Sequence, residues 1–185
     1  MLDLRDPPTD PKAKLQWKME SRRATTAEAV GNPTVDTAYA VCIYDEVANV
    51  ATLAGRLDIP AGANWQAINA TRFQYKDPTR SVNGIERLRI DGKRKKTKLQ
   101  LEAGGVALPL PGPVAPDRYF AADDVVTVQL RNTVGGCWSI GFRTPLQNTG
   151  DRFKAKVEVA PYGRGESARI SGAIHGMRTL RAARA

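Results

Sequence analysis

A chain of 185 residues has room for one β-sandwich domain with a proper core plus tails, or for two very small domains. Its 42% hydrophobic and 25% charged residues are ordinary for a globular protein, but 28 Lys and Arg against 19 Asp and Glu leave a formal net charge of +9. No apolar run is long enough to span a bilayer, and two cysteines with a single histidine cannot make a structural zinc site.

In chain order, Met1 to Lys12 is charged and proline-bearing and reads as an extended lead-in, ending at residue 13. It lacks the basic-then-apolar order of a secretion signal. Lys14 to Met19 (KLQWKM) alternates, with Leu15 and Trp17 on one face, and reads as a first strand. Glu20 to Asp36 reads as a long loop with one helical turn around Thr26 to Val30. Thr37 to Tyr44 is apolar on both faces and rich in β-branched and aromatic residues, as a central strand should be. Ala48 to Ile59, Trp65 to Ile68 and Arg72 to Lys76 follow as further extended pieces.

Gly84 to Ile90 and Thr97 to Ala103 form a predicted hairpin, with Asp91-Gly92 as its tight turn. Parity places Leu88, Ile90, Leu99 and Leu101 on one face, and Arg87, Arg89, Lys98, Gln100 and Glu102 on the other. Val106 to Pro116 carries four prolines and cannot join a sheet centre, so it reads as an edge segment or crossover. The second predicted hairpin lies in Val125 to Arg143. Its apolar residues are all even-numbered, so the loop needs an odd length. A loop at Thr133 to Gly135 pairs Leu130 with Trp138, Val128 with Ile140 and Val126 with Phe142, with Gly135 left-handed. Asp151 to Val159 reads as the last strand. From Pro161 the chain is rich in Gly, Ser, Ala and Arg and reads as a flexible basic tail.

The expected architecture is therefore all-β. It is a two-layer antiparallel β-sandwich, Ig-like or jelly-roll-like, over residues 14–160, with a flexible basic C-terminal tail over 161–185.

Cys42 and Cys137 both face away from their apolar neighbours if Val41 and Ile43 face the core. On neighbouring strands they would bridge across one sheet; the alternative is two free thiols packed as small apolar side chains. A bridge is expected, and with it an oxidising compartment and a chain that starts after its export signal.

No residues suggest catalysis, a cofactor or a metal. His175 lies in the tail, away from any carboxylate held in a rigid segment. Asp45-Glu46 and Asp123-Asp124 read as turn and strand-end residues. The glycine pairs have no following helix to cradle phosphate. For binding, Trp65, Arg72, Tyr75 and Lys76 flank a loop-rich region where a shallow ligand platform would fit. Lys93, Arg94, Lys95, Lys96 and Lys98 form a basic cluster, and Arg164, Arg169, Arg178, Arg181 and Arg184 form another in the tail.

The ordered segments KLQWKM, GNPT, YAVCIYD, FQYKD, NGIERLRI, ALPLPGPV, VTVQLRNTVGGCW and DRFKAK resemble an uncharacterised β-sandwich domain that recurs in predicted secreted bacterial proteins. The resemblance covers Leu4 to Lys156. It implies an exported context and a family cysteine pair at Cys42 and Cys137, but no activity. Phe120 to Asp124 departs from that pattern as an insertion. The expected function is thus a non-catalytic exported module at the cell envelope or outside the cell, binding a polysaccharide or another surface protein. The alternative is a basic protein that binds nucleic acid through Lys93 to Lys98 and the arginine tail.

Overall fold

The computed structural model describes residues 1–7, 12–123 and 125–157. The tail from Pro161, with His175 and its arginines, lies outside the described residues, as do Asp124 and Val159. The strands are β1 (Leu2–Arg5), β2 (Lys14–Ser21), β3 (Tyr39–Val47), β4 (Val50–Ile59), β5 (Trp65–Asn69), β6 (Arg72–Lys76), β7 (Ile85–Lys93), β8 (Lys96–Gly104), β9 (Val126–Asn132), β10 (Cys137–Phe142), β11 (Pro145–Thr149) and β12 (Arg152–Ala155). One helical turn, α1 (Ala27–Val30), is capped by the Thr26 side chain, where the sequence placed it.

Two antiparallel sheets stack as predicted. A long sheet runs in the order β11-β12-β1-β2-β8-β7-β6-β5, and a short one in the order β10-β9-β3-β4. Period-two alternation builds the core between them. Leu15, Trp17, Leu88, Ile90, Leu99 and Leu101 of the long sheet face Val41, Ile43, Leu57, Ile59, Val126, Val128 and Leu130 of the short one, all with no exposed surface. Each such aliphatic side chain stabilises the fold by about 1.5–3 kcal/mol.

The β9–β10 hairpin has the predicted register. Leu130 opposes Trp138, Val128 opposes Ile140 and Val126 opposes Phe142, while Gly135 has a φ of +89°. Trp138 and Ile140 are only partly buried, because β10 is the sheet edge.

Four expectations are corrected. The extended lead-in is not outside the domain. Its residues Leu2 to Arg5 are β1, seated between β12 and β2, with Leu2 and Leu4 fully buried. β11 was not foreseen at all.

The tight turn of the β7–β8 hairpin lies at Arg94-Lys95, since Lys93 pairs with Lys96 and Asp91 with Lys98. Asp91 and Gly92 are used sideways instead. Arg72 Nε lies 2.9 Å from Asp91 Oδ1, and Gly92 N–H donates to Thr71 O at 2.9 Å. The parity of the leucines survives, with Leu88 opposite Leu101 and Ile90 opposite Leu99.

The fourth correction is the Cys42–Cys137 bridge, which does not form. Both cysteines are free, Cys42 buried and Cys137 exposed. They share the outer face of the short sheet, but β9 runs between their strands. Cys42 opposes Gln129, and Cys137 opposes Arg131. Two strand spacings of about 4.8 Å put them beyond the ~7 Å limit for a disulfide.

The proline-bearing crossover from β8 to β9 stays out of both sheets and makes one local bridge of its own, between Ala115 and Arg118. The insertion that follows it is anchored. Tyr119 and Phe120 are buried, and the buried carboxylate of Asp45 accepts the N–H groups of Ala121 and Ala122 at 2.7 and 2.8 Å.

Candidate anion-binding face

The same alternation that builds the core charges the outer face of the long sheet. From β12 across to β6, every outward side chain is Lys, Arg, Asp, Glu or Gln. Strand register arranges them in rows. One row reads Lys154, Asp3, Gln16, Glu102, Arg87 and Lys76. The next reads Lys18, Gln100, Arg89, Gln74 and Gln66, and holds no carboxylate. A third reads Glu20, Lys98, Asp91, Arg72 and Asn69.

The few carboxylates are shared among cations. Asp91 is 10% exposed and has Arg72 at 2.9 Å, Lys93 at 3.7 Å and Arg89 at 3.9 Å. Glu20 takes Lys98 at 3.0 Å and Lys96 at 3.2 Å. The hydrogen bond from Lys98, then that from Lys96, holds the Glu20 carboxyl below its ordinary pKa, and the bond to Glu20 raises the Lys98 ammonium. Asp3 takes Arg152 at 3.0 Å and Arg5 at 3.7 Å. Positive charge is left over on this face.

A recess of about 650 Å³ opens at the β2 end of the second and third rows, where β2 runs on past β1, and Met1, Lys156 and Val157 also line it. Lys18, Glu20, Arg89, Asp91, Lys93, Lys98 and Gln100 supply its polar lining, and Met19, Leu99 and Ile140 part of its apolar lining. The Nε–H of Arg89 is buried and has no hydrogen-bond partner among the described residues.

The predicted site residues fall into two groups. Trp65 and Tyr75 are core residues, not a platform. They oppose each other on β5 and β6, point inward, and pack edge to face with centroids 5.5 Å apart; Tyr39 lies 5.3 Å from Trp65 on its other side. Trp17 is buried as well, so these three form no exposed stacking row.

Arg72, Lys76, Lys93, Arg94, Lys95 and Lys96 do share one surface. Arg72 is committed to Asp91, while Arg94 and Lys95 stand exposed at the hairpin tip. The reading of the cluster missed Lys18, Arg89 and Gln100 as members. Their parity was legible, but only the β2–β8 pairing brings Lys18 alongside the others.

Comparison of the chain with protein-family models, with curated proteins and with solved structures returned no match.

Proposed function

We infer that the domain is a non-catalytic β-sandwich module that holds an anionic polymer against the outer face of its long sheet. The observation that carries this reading is the unbroken set of charged and amide side chains from β12 to β6, in which cations outnumber carboxylates. A sheet face whose charged rows lie about 7 Å apart, with neighbours in a row about 4.8 Å apart, offers repeated contacts to a polymer bearing repeated charges. Neutral sugars need exposed aromatic rings to stack on, and Trp17, Trp65 and Tyr75 are in the core. An acidic envelope polysaccharide fits the face better, and the exported setting rests on the motif order of the sequence.

Nucleic acid is the second reading, favoured by Arg94 and Lys95 at the β7–β8 tip. Fluorescence titration of the full chain with a sulfated polysaccharide and with duplex DNA tests both. Binding to the polysaccharide is expected, weakening steeply between about 50 and 200 mM salt as counterion release requires. Tighter binding to DNA at equal charge would favour the second reading. No response to either polymer at low salt would remove both.

A further inference from the structure

The geometry assigns the recess on β2, β8 and β7 as a subsite for a tetrahedral oxyanion ester, a phosphate or sulfate group carried on a polymer. Lys18, Arg89 and Lys98 are its ligands, and Glu20 is a built-in competitor. This rests on the polyanion reading above and adds to it a place and a chemistry.

Lys18, Gln100 and Arg89 stand directly opposite one another on three adjacent strands. Neighbouring strands are about 4.8 Å apart, so two long cationic side chains flank the shorter amide. Lys98 lies two residues from Gln100 on β8, about 7 Å along the strand, and closes the group from a third side. Donors arriving from three directions match a tetrahedral oxyanion better than a planar carboxylate.

Donor capacity is also unspent. A guanidinium offers five N–H groups. Arg89 reaches Asp91 only at 3.9 Å, too far for a hydrogen bond, and its side chain is 40% exposed, so its terminal N–H groups are open to an incoming anion. The recess, at about 650 Å³, is larger than a single ion needs and has apolar lining from Met19 and from Ile140 of the short sheet, both partly exposed. That suits a group carried on a chain.

Glu20 already places a carboxylate on one of the three ligands, 3.0 Å from Lys98. Its side chain is 49% exposed, so an incoming anion can displace it at little cost.

The test is competition titration of the full chain at low salt with polyphosphate, dextran sulfate and polyglutamate. Removing one cation should weaken polyphosphate or dextran sulfate binding about tenfold in Lys98→Gln and in Arg89→Gln, the loss of one charge-assisted hydrogen bond. Lys76→Gln, on the same face but outside the recess, should weaken it by less than about twofold, as a screened surface charge does. Glu20→Gln should tighten it several-fold, a gain that a misfolded variant cannot imitate. The stronger of the two polymers identifies the ester.

Equal losses in all three cation variants, or weakening by Glu20→Gln, would overturn the subsite and leave the polyanion reading standing. Polyglutamate binding as tightly, with the same variant response, would overturn the tetrahedral chemistry. If the wild-type chain binds none of the three polymers, subsite and polyanion reading fall together.

Discussion

The carboxylate of Asp77 holds one turn together. It accepts the N–H and hydroxyl of Thr79 at 3.1 and 2.5 Å, those of Ser81 at 2.7 and 2.8 Å, and the N–H of Val82 at 3.3 Å. The Thr79 hydroxyl contributes most to lowering its pKa from 3.8 to about 2, with burial opposing and the Ser81 bonds adding to the shift. The folded state binds this proton more weakly than the unfolded state. Its stabilisation is therefore complete above about pH 4 and is lost as pH falls toward 2. Asp77→Ala should cost roughly 2–3 kcal/mol at neutral pH in urea unfolding, and the gap to wild type should close across that acid window. Gly92 is a second position where one residue decides a contact. A Cβ there would lie 2.6 Å from Thr25 Cγ2 and 2.8 Å from the Thr71 carbonyl oxygen, a backbone atom that cannot turn aside. Gly92→Ala should destabilise by about 1–3 kcal/mol, read from the thermal midpoint.

At the scale of elements, β1 is the instructive case. Its four residues, LDLR, bear only two apolar side chains, too few for a periodicity to stand out. What makes it a strand is its pair of neighbours: Leu4 opposes Leu15 on β2 and Phe153 on β12. Leu4→Ala should cost about 3 kcal/mol, a loss visible in chemical denaturation. The β3–β9–β10 order gives a second prediction. With β9 between the cysteines, oxidation should leave both as thiols within one chain. A colourimetric thiol reagent should label exposed Cys137 quickly and buried Cys42 only on slow opening or unfolding. Non-reducing mass analysis showing loss of two hydrogen atoms in the folded monomer would contradict this order of strands.

For the whole molecule, the long sheet is finished only when the last described strand arrives, because β12 pairs with β1. Such non-local pairing predicts refolding on the millisecond-to-second scale, followed by stopped-flow fluorescence of buried Trp17 and Trp65. The sequence alone determined the class of fold, most strands, the faces of both hairpins and the odd loop that makes Gly135 left-handed. These are local matters, since alternation and turn chemistry act over a few residues. Only tertiary structure decided which strands are neighbours. That choice separated Cys42 from Cys137, turned Trp65 and Tyr75 inward together, moved the β7–β8 turn three residues on from Asp91-Gly92 to Arg94-Lys95, and lined up Lys18 with Arg89. Strand order follows from how two sheets bury their combined apolar faces, a quantity summed over the whole chain and written in no single segment.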